Sequence, residues 1–157
     1  MDNRPPDMTL KPIGTVSNEM KEIPSRPGYN WQAITSRIIV DEALGEALEG
    51  LDKYSHIIVI YWLHKAFIRK YSLRVHPRGD KSLPLVGLFA SRSPYRPNPV
   101  GKKTVRLIKR QGNTLWVEGL DAIDGTPVID IKPFIPGYDS PDEATVPEWN
   151  SRKHIDG

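Results

Sequence analysis

The sequence predicts an all-β fold: a small single β-barrel of about six to seven strands with one or two short helices. Three observations carry this. Short β-branched and aromatic runs recur along the chain with turn residues between them. Only residues 41–50 place their apolar side chains at helical spacing. There is no strand–helix alternation, no GxGxxG and no phosphate-binding glycine loop, which sets a dinucleotide-binding fold aside. With 157 residues one domain is expected, its core at about 9–138 and its tails at 1–8 and 139–157.

The elements follow in order. Residues 10–16 read as a short strand, and the prolines and glycine of 20–29 (MKEIPSRPGY) as a loop. Residues 33–40 alternate toward a β-branched end and form a strand. Asp41 is placed to cap a helix carrying Leu44, Ala47 and Leu48, which Gly50 ends and the interior Gly45 weakens. Residues 54–63 (YSHIIVIYWL) make the strongest strand, apolar enough to be buried on both faces. Residues 71–76 read as an edge strand and 85–90 as a short one. From Thr104 the segment VGKKTVRLIKR suits a strand with one apolar and one basic face, and Gly112-Asn113 turns it into a hairpin with 114–120. Residues 128–131 are a last short strand, and beyond Pro133 no periodicity remains.

Composition narrows the chemistry. Without cysteine there is no disulfide, iron–sulfur cluster or thiol nucleophile. The longest apolar run, 57–63, is too short to span a bilayer, and the N-terminus MDNRPPDMTLKP does not read as a signal peptide; a cytoplasmic protein is expected. His56, His64, His76 and His154 lack the close spacing of zinc ligands, so no metal is expected. The net charge is only +3, but residues 69–110 hold twelve Lys/Arg against one acid, Asp80. Such a concentration suits a polyanionic partner; a solvated basic face is the plainer alternative.

The run SRSPYRPNPVG, residues 91–101, is the strongest candidate site. Pro94, Pro97 and Pro99 fix φ and remove backbone donors, giving a stiff loop rather than a central strand. On that frame stand Arg92 and Arg96, whose guanidinium forks suit carboxylates, phosphates and flat rings. A second motif, GLDAIDGTPVIDIKPFIP, sets Asp121, Asp124 and Asp130 among apolar residues, with a turn at Asp124-Gly125. Closing that turn is an equally good role for Asp124. His64 leaves the buried strand beside Lys65, and Ile23 to Gly28 form a further rigid cationic loop. No nucleophile–base arrangement stands out, which favours chemistry whose reactive group belongs to a cofactor.

The segments GLFASRSPYRPNPVGKKTVRL and GNTLWVEGLDAIDGTPVIDIKPFIP, with KPIGTV, IPSRPG and GLDKYSHIIVIYWLHK before them, resemble the TsaA-like family over most of the chain. These are β-barrel methyltransferases dependent on S-adenosylmethionine, and they methylate N6 of threonylcarbamoyladenosine beside the tRNA anticodon. The resemblance implies that Ser25, Arg26 and Pro27, then His64, Lys65 and Arg92, contact the cofactor. Gly101 and Lys102 line the same pocket, as does the turn from Asp121 through Asp124, Gly125 and Thr126 to Pro127. It also implies a homodimer with the pocket near the subunit interface. Many members read PRQPG at 24–28 and carry a neutral residue at Lys65, so the arginine here is shifted by one place. Longer members have a further C-terminal domain; without it the basic window is expected to grip tRNA, through Arg96, Lys102, Lys103 and Arg106.

The expected reaction is direct in-line methyl transfer, which asks for positioning and exclusion of water. Asp121, Asp124 or a backbone carbonyl would take the acceptor's proton. Two alternatives are a methyltransferase of the same fold acting on a small molecule, and a non-catalytic RNA- or nucleotide-binding module.

Overall fold

The computed structural model describes residues 3–25, 28–66 and 70–151. Six antiparallel strands close a barrel in the order β1-β2-β7-β6-β3-β8. They are β1 (Gly14–Ser17), β2 (Thr35–Val40), β3 (His56–Trp62), β6 (Val100–Gln111), β7 (Thr114–Glu118) and β8 (Pro127–Pro133). Two short strands, β4 (Arg74–Val75) and β5 (Val86–Gly87), pair with each other outside the barrel.

Alternation decides the interior. Along β2, Ser36, Ile38 and Val40 face inward while Thr35, Arg37 and Ile39 face solvent. Ile57, Val59 and Tyr61 of β3 meet Val105 and Leu107 of β6, Leu115 and Val117 of β7, and Val16 and Val128 in one core. As the apolar run predicts, β3 is nearly continuously buried, Ile58 on its other face included.

β6 and β7 form the predicted hairpin. Gly112, at φ 60°, takes the turn position that requires a positive φ. A bulge at Ile108 breaks the β6–β7 register, so Leu107 opposes Val117 but Lys109 opposes Trp116.

One local expectation takes a tighter form and two need correction. The helix expected at 41–50 is present, as a 3-10 helix over Glu42–Leu48 that Asp41 caps by accepting from the Ala43 amide at 3.1 Å. Seven residues with Gly45 at the centre make too few i→i+4 bonds to hold the α form. The strands read at 71–76 and 85–90 shrink to two residues each, with a 3-10 turn at Leu88–Ala90. Strand β1 starts only at Gly14. The segments at 71–76 and 85–90 lie away from the barrel ladder, and β-branched composition alone does not extend a strand that lacks partners.

The strand directions bring the connections after β1, β3 and β7, and the one before β6, to a single end. The predicted site motifs lie in those connections and at the strand ends that adjoin them, with Gly101, Lys102, Lys103 and Arg106 in β6 and Pro127 at the start of β8. No helix among the described residues is long and apolar enough to cross a membrane.

Candidate functional site

A cavity of about 790 Å³ opens at that end. Ile23 and Trp31 reach it from the β1–β2 connection, and His64, Lys65 and Ala66 from the chain after β3. Arg92, Ser93, Pro94 and Arg96 come from the proline loop, and Gly101, Lys102 and Lys103 from the start of β6. Asp121, Ala122, Ile123 and Thr126 complete it from the β7–β8 connection. The volume suits a cofactor-sized molecule.

The proline loop is held rigidly. Arg96 donates to the carbonyls of Ser91 (2.9 Å) and Ser93 (3.2 Å) and lies 5.6 Å from the Phe89 ring centre. Buried Ser91 donates to the Leu88 carbonyl at 2.7 Å. The Leu63 amide donates to the Pro99 carbonyl at 2.7 Å, tying this loop to the chain leaving β3. Arg96 is therefore largely consumed in shaping the loop. Arg92 is exposed and reaches back over β6, donating to the Lys102 carbonyl at 3.3 Å.

The floor is Tyr61 of β3, which the sequence pattern marks only as part of a strand. Its hydroxyl donates to Asp121 Oδ1. Its ring lies against Gly101, where a Cβ would stand 2.5 Å from the ring. The β3–β6 register pairs these two residues directly, so glycine at 101 makes room for the aromatic. Burial, then the Asp121 carboxylate, pushes the Tyr61 pKa well above that of an ordinary phenol, while Arg92 pulls it part of the way back. The hydroxyl stays neutral and donates. Among the described residues the second Asp121 oxygen has no hydrogen-bond partner. A tyrosine at the end of a buried strand, just before His64, is the signal that composition offered.

Asp124 stands differently. It accepts from the Asn18 amide at 3.0 Å and from Lys21 Nζ at 2.8 Å, and it is not part of the cavity lining. The Lys21 hydrogen bond, then the Asn18 amide, holds its carboxyl below the usual carboxylate range. Asp124 thus closes its turn and ties it to the β1–β2 connection. Thr126 is buried and donates to the Ile123 carbonyl at 2.7 Å.

Of the other predicted site residues, Gly125, Pro127 and Ser25 lie outside the lining, and Arg26 and Pro27 lie outside the described residues. Lys65 donates to the Lys21 carbonyl at 3.2 Å. The basic window does not form one surface. Lys103 shares the inward side of β6 with Val105, Lys102 takes the outward side, and Arg106 pairs with Glu118 at 3.3 Å on the outer wall. Arg69 lies outside the described residues.

Several known proteins are similar to this chain. A probable S-adenosyl-L-methionine-binding protein of Methanocaldococcus jannaschii is 44% identical over 134 residues, covering 84% of this chain and 96% of its own. A putative S-adenosylmethionine-dependent methyltransferase of Pseudomonas aeruginosa is 38% identical over 138 residues, 83% of this chain and 56% of its own. A crystal structure of TrmO from Pseudomonas aeruginosa superposes with a TM-score of 0.72 at 31% identity, covering 88% of this chain. The chain spans 61% of the length of that protein. The family model described as the tRNA-methyltransferase O N-terminal domain matches residues 13–140. With all six barrel strands inside that match, and all four connections that build the cavity, the chain belongs to the tRNA-methyltransferase O N-terminal domain family.

Proposed function

We propose that this protein is an S-adenosylmethionine-dependent methyltransferase that methylates N6 of threonylcarbamoyladenosine next to the tRNA anticodon. The observation that carries the reading is the cavity at the end of the barrel, where Arg92, Lys103 and the Tyr61–Asp121 pair converge in a chain of this family. The printed names of the relatives, S-adenosylmethionine-binding proteins and methyltransferases, support the cofactor.

The residues present fit that cofactor. Arg92 and Lys103 suit its carboxylate, Asp121 its ammonium or ribose hydroxyls, and Trp31, Leu63 and Ile123 its purine. When bound, it supplies an electrophilic methyl group. His64 and Lys65 line one side, and the stiff proline loop limits the motion of another. Asp121, fixed by Tyr61, takes the N6 proton of the acceptor as the methyl is received. The threonyl carboxylate of the acceptor suits the remaining cationic charge at the mouth, with Lys102 toward the tRNA. The protein acts in the cytoplasm, as a homodimer. The exposed apolar Leu73, Leu85 and Phe89 beside the proline loop are in keeping with a subunit contact there.

Purified protein is incubated with cofactor carrying a labelled methyl group and with tRNA that contains threonylcarbamoyladenosine, and the digested nucleosides are read by mass spectrometry. Label on the N6-methylated nucleoside is the expected result. Cofactor binding without transfer to any tRNA nucleoside would sink the tRNA reading.

A further inference from the structure

Trp116 stands on the outward side of β7, between the fully buried Leu115 and Val117. Its register partner on each adjoining strand is a cation. Arg37 of β2 lies 5.6 Å from the ring centre and Lys109 of β6 lies 4.8 Å away. The bulge at Ile108 is what puts Lys109 there. Were the same chain paired continuously, with no bulge, Lys109 would fall opposite Leu115 and face the core. The indole Nε1 is buried and has no acceptor among the described residues, so stacking, not a hydrogen bond, holds the ring.

This cluster is continuous with the mouth of the cavity. Lys65, which lines the cavity, donates to the Lys21 carbonyl at 3.2 Å. Lys21 Nζ meets Asp124 at 2.8 Å, and Arg37 is near enough for its charge to act on the same carboxylate. Asp124 and Glu118 on this line are paired with Lys21 and Arg106, and with Glu19 and Glu22 beside Lys21 the acids are still outnumbered by Lys65, Lys21, Arg37, Lys109 and Arg106. The line therefore keeps a positive excess with one aromatic platform in it. That combination matches single-stranded nucleic acid, whose phosphates take ammonium and guanidinium groups and whose unpaired bases stack on aromatic rings.

We propose that the outer wall around Trp116, with Arg37, Lys109 and Lys21, docks the unpaired RNA strand that flanks the methyl acceptor. The cations on the ring pass to phosphates, and a base takes their place on the indole. This rests on the tRNA acceptor proposed above.

The test is fluorescence anisotropy of a labelled anticodon stem-loop RNA with the full chain at several salt concentrations, alongside calorimetry of S-adenosylmethionine binding. Trp116→Ala weakens RNA binding about tenfold, whereas Trp116→Phe, which keeps a stacking ring, stays within about twofold of wild type. The exposed pair Arg37→Ala/Lys109→Ala lowers the slope of log affinity against log salt by about two. Cofactor affinity holds in all three. If the cofactor affinity of Trp116→Ala fell, the salt slope of the double variant would decide. Wild-type affinity and slope in both variants would overturn the surface and leave the tRNA reading standing. No RNA binding by the wild type would overturn both. A polyglutamate peptide displacing the RNA as well as unlabelled RNA does would overturn the choice of RNA over an acidic protein.

Discussion

At one end of the barrel the strands run into long connections whose polar side chains converge on Tyr61 and Asp121; at the other they are stoppered by the 3-10 helix Glu42–Leu48 and a two-residue hairpin. Both ends hold a cavity, about 790 Å³ at the first and 520 Å³ at the second. The linings differ in kind. The second is built mainly of Ile13, Leu44, Ala47, Leu48, Leu51 and Ile131, with Asp130 paired to Lys132 at 3.0 Å. The first gathers Arg92, Lys65, Lys102, Lys103, His64 and Asp121. A barrel closed by apolar plugs at one end can carry unsatisfied polar groups at the other, because the plug and the ladder supply the stability. Chemistry and stability should therefore be separable by end.

The sharpest break is Asp121→Asn. It keeps an acceptor for Tyr61 but removes the proton acceptor, so single-turnover methyl transfer should fall by roughly 10² to 10⁴. The urea midpoint should barely move. A variant that transfers methyl at the wild-type rate would take Asp121 out of the chemistry.

The opposite end should answer in the opposite currency. Leu48 is 4% exposed and packs into the core from the 3-10 helix, so Leu48→Ala should cost about 2–5 kcal/mol of unfolding free energy. Affinity for S-adenosylmethionine, measured by calorimetry well below the midpoint, should stay within about twofold. A large loss of affinity with unchanged stability would merge the two ends into one functional unit.

Gly101→Ala tests where the two meet. A strand glycine replaced by alanine ordinarily gains about 0.5–1 kcal/mol. Here the new Cβ would stand 2.5 Å from the Tyr61 ring, which is wedged in the core. The expected sign is reversed, a loss of about 1–3 kcal/mol, accompanied by weaker cofactor binding as Tyr61 moves off Asp121. Stabilisation in urea unfolding would show that Tyr61 is not pinned there.

Much of this contrast was legible in the sequence, and the illegible part has a physical cause. Alternation and turn residues exposed the ladder strands, since half-buried strands must alternate. The prolines and arginines of 91–101 marked the loop because stiffness and charge are local properties. Tyr61 was hidden because its role depends on Gly101 and Asp121, forty and sixty residues away, and a one-residue change of register would undo both contacts. Trp116 was hidden likewise, since the bulge that brings Lys109 onto it leaves no mark in composition. Nor does the sequence distinguish the surroundings of Asp121 and Asp124: Asp121 lines the cavity and, among the described residues, has one oxygen without a hydrogen-bond partner, whereas Asp124 is occupied by Asn18 and Lys21.

The smallest effect concerns that occupied carboxylate. Asp124 has a pKa lowered in the folded state, first by the Lys21 hydrogen bond and then by the Asn18 amide. A depressed carboxylate contributes stability that is present above its unfolded pKa, near 4, and is lost as pH falls through the folded value. The Lys21 side chain is 70% exposed, so its share is under about 1 kcal/mol and shrinks with salt. Lys21→Ala should therefore lower stability slightly at pH 7 in low salt. The gap to wild type should narrow as pH falls through the lowered folded-state pKa of Asp124. Urea unfolding at pH 7 and pH 2.5 reads this directly. A gap that persists undiminished at the lower pH would mean that Lys21 supports the connection by packing of its stem and not through its charge on Asp124.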